Sequence, residues 1–268
     1  MSQLEIVEKS NYPVTKKRLI KDFKNGGLKK GSTIIVHSSL SSLGWVCGGA
    51  VALIDALMEV ITKTGNIIMP THSGDYSEPK YWGNPAVPKD WWKIIRKEMP
   101  AFRPEVTPTR GVGVVPETFR KYLKTVRSSH PINSFAAWGK DADKIIANHE
   151  LNSSLGEKSP LQKIYDLNGK ILLIGVGHES NTSLHLAEYK ANYEKEIKEY
   201  GAPIIKKGKR IWAKYKEIEV DSDDFQQLGN DYEKEREYSE FNLAHSTTKL
   251  FSQPDIVDFA VDWFEKNR

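Results

Sequence analysis

The stretch NTSLHLAEY, Asn181 to Tyr189, contains side chains suited to proton transfer. If Asn181 caps a helix, Thr182, His185 and Glu188 follow at intervals of three residues and lie within its first turns. An imidazole with its ordinary pKa can accept a proton at neutral pH, as a general base must. A histidine packed into the core fits the same spacing, so the pattern alone leaves both interpretations open.

The segment HSSLSSLGWVCGG, from His37 to Gly49, could hold a phosphate group. Its serine hydroxyls and paired glycines precede a predicted helix, whose free N–H groups and positive dipole end favour an anion. The glycine-rich nucleotide motifs G-x-G-x-x-G and G-x-x-x-x-G-K-[ST] are absent from the sequence. A plain connecting loop is the alternative.

Four side chains, His72, Asp75, His130 and His185, have the ligand types that zinc prefers. Together they would support a metal-dependent amide hydrolase. The hydrolase motifs G-x-S-x-G and H-E-x-x-H are both absent, and scattered histidines are usually unrelated to one another. This hypothesis therefore rests on residue types alone.

Alternating strands and helices must position these residues. The predicted elements, in chain order, are a helix at 15–25, a strand at 32–37, a helix at 49–62, a strand at 66–70, helices at 90–97, 116–123 and 142–149, a strand at 170–177, the helix after Asn181, a hairpin at 203–220 and a last helix, DIVDFAVDWFEK. The irregular segment from Thr71 to Thr109 is rich in Trp and Pro and is typical of functional loops or a lid. The predicted fold is α/β: three-layer α/β/α with a central mixed sheet, inserted irregular loops and a C-terminal β-hairpin plus helix.

Composition predicts a globular protein of one domain, residues 1–268. A hydrophobic content of 39% is adequate for a core, and no repeat or linker divides the chain. No apolar run approaches a membrane helix, no signal peptide is evident, and Cys47 is the only cysteine. We therefore expect a cytoplasmic protein with no membrane partner. The net charge of +4 comes from interspersed lysines and acids, which favours no nucleic-acid partner.

Five segments add a more specific signal because they occur in a fixed order. They are VHSSLSSLGWVCGGA, IIMPTHS, SSHPINSFAAWG, LGEKSPLQKI and LLIGVGHESNTSLHLAEY. Together they resemble the aminoglycoside 3-N-acetyltransferase family, especially its small Bacillus-type members, from about Lys29 to Tyr189. The resemblance implies transfer of an acetyl group from acetyl-CoA to an amine without a metal. The expected acceptor is the 3-amino group of the 2-deoxystreptamine ring of an aminoglycoside.

The resemblance also implies catalytic and acceptor-binding residues. His185 is expected to be the general base of a direct transfer, and Thr182 to hydrogen-bond the departing sulfur or the oxyanion. Glu188 is the expected acidic partner of the imidazole or of the cationic acceptor. Asp75 and Glu78 are the other acidic residues expected to contact a polycationic acceptor.

The expected acetyl-CoA-binding residues lie in the serine-rich loop, in the turn after His130 and at two further positions. They are His37, Ser38, Ser39, Leu40, Gly48, Gly49, Arg110, His130, Ser134, Phe135, Ala136 and Ser159. Arg110 begins RGVGVV, which matches the start of the pyrophosphate loop of a different, larger N-acetyltransferase superfamily but has Val115 in its sixth position. That match is too loose to identify an activity.

Three alternatives stay open from the sequence. The protein could acetylate an unrelated amine metabolite, hydrolyse an amide with a metal ion, or bind CoA without catalysis. A monomer and a homodimer are equally compatible with the sequence.

Overall fold

The computed structural model describes residues 3–268. In that range the strands are β1 (Thr33–Ser38), β2 (Asn66–Pro70), β3 (Val126–Arg127), β4 (Phe135–Gly139), β5 (Lys170–Ile174), β6 (Ile197–Lys206), β7 (Lys209–Ile218), β8 (Ser239–Leu243) and β9 (Ser246–Ser252). The α-helices are α1 (Gln3–Glu8), α2 (Lys16–Asn25), α3 (Gly49–Ile61), α4 (Trp92–Glu98), α5 (Val114–Phe119), α6 (Ala142–Ile146), α7 (Pro160–Asp166), α8 (Leu184–Lys190), α9 (Phe225–Glu235) and α10 (Gln253–Asn267).

A mixed seven-stranded sheet in the order β3-β4-β2-β1-β5-β9-β8 forms the centre of the protein. Strands β2, β1 and β5 are parallel, and the flanking strands β4 and β9 pair with them in antiparallel fashion. The three parallel strands are the short apolar runs that the sequence predicted. Strands covered on both faces read as continuous apolar runs rather than as alternation, which explains why these three were identifiable.

Helices cover both faces of the sheet. Ile34 packs in the apolar cluster with α2, α3 and α5, whereas its neighbour Ile35 packs in the cluster on the opposite face with α6 to α10. Successive side chains of a strand point to opposite faces, so one run of isoleucines supplies both cores. The predicted three-layer α/β/α fold with a mixed sheet is confirmed.

Several elements differ from the sequence prediction. The strands β3 and β4 at one end of the sheet, the strands β9 and β8 at the other end, and the helices α1, α7 and α9 were not predicted. Helix α5 forms earlier than expected, and α6 ends at Ile146 rather than at residue 149. Within residues 3–268, no helix combines the length and the apolar character needed to cross a membrane.

The predicted hairpin forms as β6 and β7, which make a separate two-stranded sheet. It turns at Lys207 and Gly208 and supports the irregular segment that follows β2. Phe102 N donates to Pro203 O at 2.9 Å, and the Arg210 side chain donates to the carbonyl oxygens of Arg96 and Met99. The irregular segment is therefore joined to the hairpin by one backbone hydrogen bond and by two that the Arg210 side chain donates.

Candidate active site

A cleft of about 760 Å³ lies where the parallel strands end. Ligands of open α/β sheets bind at this edge, because the loops after neighbouring strands diverge there. The cleft is walled by Ser38 and Pro70 at the ends of β1 and β2, by the loop after β1, by residues 111–116 and by the loop after β5. Thr182 lies in the wall, three residues before His185.

His185 and Glu188 form a hydrogen-bonded pair on α8. The His185 side chain is about 16% exposed, and its Nδ1 atom bonds to Oε2 of Glu188, whose side chain is fully buried. The imidazole also packs on Phe225, with ring centroids 4.7 Å apart. A carboxylate acceptor at Nδ1 favours the tautomer with its proton there, which leaves the lone pair on Nε2.

Helix α8 begins later than the sequence spacing predicted. Leu184 is its first residue, and Ser183 occupies the N-cap position without a side-chain capping hydrogen bond, so the helix begins two residues later than a cap at Asn181 predicts. Asn181 instead follows a short 3₁₀ turn, His178–Ser180, and its Oδ1 accepts a hydrogen bond from Ser183 N at 3.3 Å. The later start places His185 at the second helical position and still within the first turn.

His185 and Glu188 are not among the residues that line the cleft, but two neutral histidines near this pair are. His37 lies on β1, and His72 follows the end of β2 by two residues. Burial, with a smaller contribution from the neighbouring His185, lowers the pKa of His37 to about 3 and that of His72 to about 3. Their buried Nε2 atoms have no hydrogen-bond partner within residues 3–268. Both imidazoles therefore stay uncharged at neutral pH and offer unpaired polar atoms at the cleft.

The serine-rich loop after β1 is anchored to the ends of two other strands. Ser39 N donates to Ile174 O at 2.9 Å, and the hydroxyls of Ser42 and Ser246 lie 2.9 Å apart. Gly175, with φ of +60°, allows this contact, because a Cβ atom there would lie 1.9 Å from Ser42 Oγ. The loop is thus held in place on the sheet.

This loop has the groups that a pyrophosphate needs. Gly48 adopts a φ of +88° at the N-cap of α3, and Gly49, the first residue of that helix, lines the cleft. Serine hydroxyls and the free N–H groups at the start of a helix are suitable donors to phosphate oxygens. The residues present therefore fit the phosphate portion of a CoA molecule.

The structure brings only part of the predicted cofactor set to the cleft. His37, Ser38, Ser39, Leu40 and Gly49 line it. Gly48 directly precedes Gly49, and Arg110 adjoins the lining residue Gly111. The Arg110 guanidinium forms an ion pair of 2.7 Å with Asp75, and both side chains are about half exposed.

The other predicted cofactor residues lie in the interior beside the cleft. The His130 ring packs against His149 in a tilted arrangement with ring centroids 4.8 Å apart, and Ser134 donates to Thr71 O at 2.8 Å. Phe135 and Ala136 belong to β4 and are fully buried. Ser159 caps α7 by accepting a hydrogen bond from Leu161 N. None of these residues is among those that line the cleft.

Glu78, expected to contact the acceptor, is also engaged elsewhere. Its carboxylate is buried and accepts hydrogen bonds from Nε and Nη2 of Arg96. Of the residues of the metal hypothesis, His130 packs against the His149 ring and Asp75 forms an ion pair with Arg110. No cluster of three or more His, Cys, Asp or Glu side chains in residues 3–268 is arranged to hold a metal ion.

Some cleft residues were missed by sequence reasoning. Gly111 to Pro116 form one wall, Gln3 and Ile6 of α1 reach another, and Glu179 and Ser180 complete the loop after β5. The RGVG sequence carried a usable signal, since Gly111 and Gly113 both have positive φ angles of 78° and 81° before a helix. Helix α1 has only six residues, and its sequence carries no pattern that predicts a place in the cleft wall.

Comparison with known proteins identifies relatives along nearly the whole chain. The family model Antibiotic_NAT, described as aminoglycoside 3-N-acetyltransferase, matches residues 35–265. The SPbeta prophage-derived aminoglycoside N(3')-acetyltransferase-like protein YokD of Bacillus subtilis (strain 168) is 49% identical over 264 residues, covering 98% of this chain and 97% of YokD. The crystal structure of YokD matches this structure with a TM-score of 0.97, covering 98% of each chain.

Two structures of more distant relatives contain ligands. The sisomicin-bound structure of AAC-VIa has a TM-score of 0.88 and 30% identity, covering 96% of this chain and 100% of AAC-VIa. The binary complex of AAC-IIIb with CoASH has a TM-score of 0.86 and 27% identity, covering 96% of this chain and 98% of AAC-IIIb. With its fold and cleft at the carboxyl ends of the parallel strands, the chain belongs to the aminoglycoside 3-N-acetyltransferase family.

Proposed function

We propose that this protein transfers an acetyl group from acetyl-CoA to the 3-amino group of the 2-deoxystreptamine ring of an aminoglycoside, with His185 as general base. Membership of the family supports the reaction, and the CoASH and sisomicin complexes of its relatives support the two substrates. The role of His185 rests on one observation, its hydrogen bond to the buried Glu188. His185 follows the cleft residue Thr182 by three residues, which is about one helical turn.

The proton is the main chemical problem of this reaction. An aminoglycoside amine is largely protonated at pH 7, and it must lose a proton to attack a thioester carbonyl. One proton of the ammonium is released to solvent before attack, and the second passes to Nε2 of His185 as the N–C bond forms and the C–S bond breaks. The imidazolium then gives that proton to the departing thiolate, so the products are the amide and the CoA thiol. Glu188, bonded at Nδ1, stabilises the resulting imidazolium.

Binding and orientation fall to the cleft residues. Acetyl-CoA supplies the acetyl group as a thioester, and the loop from Ser38 to Gly49 would hold its pyrophosphate. Thr182 lines the cleft, and its hydroxyl would donate a hydrogen bond to the developing oxyanion or to the departing sulfur. Such a donor accelerates transfer only if it acts more strongly on the transition state than on the bound substrate.

One observation favours a second candidate, an amine less cationic than an aminoglycoside. Asp75 and Glu78, expected to contact the acceptor, are already paired with Arg110 and Arg96. A polycationic acceptor would have to displace Arg110 from Asp75 or bind at Glu179, which lines the cleft. An acetyltransferase for a different amine metabolite therefore remains the runner-up.

A thiol-release assay tests both candidates. Purified protein is given acetyl-CoA with sisomicin, other aminoglycosides or simple amines, and His185→Gln is run beside the wild type. We expect the variant to lose about 10²- to 10⁴-fold in turnover while binding CoA equally well in calorimetry. Wild-type turnover by the variant would remove the base assignment, and turnover with simple amines alone would favour the second candidate.

A further inference from the structure

The buried carboxylate of Glu188 has partners on both oxygens. Oε2 faces the His185 imidazole, whereas Oε1 lies 2.5 Å from Nη1 of Arg268 and accepts a hydrogen bond from Asp221 N at 2.9 Å. An ionised carboxylate that is fully buried is costly unless other groups compensate its charge. Arg268, 80 positions away in sequence, supplies a full positive charge at that place.

Arg268 is itself held rigidly. Its Nε and Nη2 atoms donate to the two carboxylate oxygens of Asp224 at 2.8 and 2.6 Å, and Nη2 also donates to Asp221 O at 2.7 Å. The guanidinium lies over the Phe264 ring, 4.1 Å from its centroid. Burial opposes its charge, but the hydrogen bonds to Asp224 and Glu188 outweigh that effect and raise the pKa of Arg268. The side chain is therefore a fixed cation.

We propose that Arg268 is a positioning residue for catalysis, which pairs with the Glu188 carboxylate and keeps it turned so that Oε2 faces Nδ1 of His185. This inference rests on the proposed function, since it takes His185 as the base. The working unit is then a chain of three residues, Arg268, Glu188 and His185. A lysine at 268 could supply the charge, but it lacks the planar fork that binds Asp224 with two hydrogen bonds.

The charge of Arg268 also affects the protonation of the pair. Because Arg268 repels an added proton, its removal makes the His185–Glu188 pair bind a proton more tightly, whichever residue carries it. The acid limb of the pH–rate profile then moves to higher pH. Loosening of the fold alone would reduce turnover without that shift.

Other charged or titratable groups surround the pair on every side. They are His37 on β1, His72 after β2, Tyr193 and Lys195 after α8, and Asp221 and Asp224 before α9. His37 and His72 stay neutral because burial lowers the pKa of each to about 3. Tyr193 bonds to Arg268, with 3.1 Å between Oη and Nη1, so its position depends on the same guanidinium.

The test compares Arg268→Met and Arg268→Lys with the wild type. Arg236→Met is the control, because Arg236 is a half-exposed arginine that lies 3.9 Å from its carboxylate partner Asp255. The first readout is an NMR pH titration of the His185 imidazole in ¹⁵N-histidine-labelled protein without acetyl-CoA, assigned with His185→Gln. The second is the pH–rate profile with acetyl-CoA and the best acceptor of the panel.

For Arg268→Met we expect the titration midpoint and the acid limb to rise by about 0.5 to 1 pH unit, and kcat/KM at pH 7 to fall about tenfold. Arg268→Lys should lie between Arg268→Met and the wild type, and Arg236→Met should match the wild type. In a Glu188→Gln background the Arg268 substitution should have little further effect, because Arg268 acts through Glu188.

Two results would overturn the inference: an unshifted His185 titration in Arg268→Met, or additive losses in the Glu188→Gln background. Should Arg268→Met fail to fold, Arg268→Gln, which also lacks the positive charge, carries the same comparison. Failure of the proposed function is a separate result, namely turnover by His185→Gln, and it leaves the NMR titration as a valid test of Arg268.

Discussion

The hydroxyl of Tyr189, on the candidate catalytic helix α8, donates a hydrogen bond to Oε1 of Glu217 on strand β7. Ser154 N donates to the same oxygen at 2.5 Å. The separate hairpin is thereby joined to the helix that bears His185. Burial raises the pKa of Glu217 even though these hydrogen bonds oppose the shift.

We expect Glu217→Gln to become more stable relative to the wild type as pH rises. The folded protein binds the Glu217 proton more tightly than the unfolded chain does, so the stability that this group contributes is full below pH 4.5 and is lost as pH rises through the folded pKa. Gln keeps the acceptor oxygen without the charge. Urea unfolding at about pH 5 and about pH 8 should show a relative gain of ~1 kcal/mol for the variant. A difference between the two proteins that is independent of pH would contradict this account.

Acid should destabilise the protein through its buried histidines. Burial lowers the pKa of His37 to about 3 and that of His149 to about 4, from 6.5 in the unfolded chain. Their contribution is therefore present above pH 6.5 and lost as pH falls towards the folded values, with a slope approaching about 1.4 kcal/mol per pH unit for each histidine. Unfolding free energies of His37→Gln and His149→Gln between about pH 7 and about pH 4 should fall less steeply than those of the wild type.

His245 provides the control for that experiment, because its side chain is exposed. His245→Gln should retain the wild-type dependence on pH. If it flattened the curve as much as the buried substitutions do, burial would not be the cause.

Replacing Arg127 with Lys should cost about 2–4 kcal/mol of unfolding free energy. The buried guanidinium makes six hydrogen bonds to neutral oxygens, and burial lowers the pKa of Arg127 to about 10. Its acceptors include Thr71 O and Ser73 Oγ, which flank His72. Lys has three donors on one atom and cannot reach this set.

Urea denaturation measures the loss of stability in Arg127→Lys. The control Arg236→Lys, at a half-exposed site, should change stability by less than about 0.5 kcal/mol. Equal effects at the two positions would refute the role of Arg127.

Gly175→Ala should weaken CoA binding by displacing the serine-rich loop. A Cβ atom there would lie 1.9 Å from Ser42 Oγ, on a backbone with φ of +60°. Gly208→Ala is the matched control, since its φ is +73° but nothing lies within 4 Å of the added atom. Calorimetry should show a dissociation constant for CoA raised about tenfold in Gly175→Ala only. Equal affinity of the two variants would show that the contact with Ser42 does not shape the site.

The sequence by itself determined the elements whose signals are local. Three apolar runs predicted the central parallel strands, Thr15 and Gly26 bounded α2, and the turn at Lys207 and Gly208 predicted the hairpin. The intervals between Thr182, His185 and Glu188 placed a possible base near its carboxylate. Each of these signals lies within about one element, where backbone periodicity and turn chemistry act directly.

Only the tertiary structure decided which side chains meet. The sequence motif around His130, Ser134 and Phe135 lies in the interior beside the cleft, whereas residues 111–116 and α1 form its walls. The bond between Glu188 and Arg268 joins residues 80 positions apart. Residue spacing constrains the neighbours within a helix or strand, but contacts between distant segments depend on how whole elements pack, and that packing is set by the burial of all their apolar faces together.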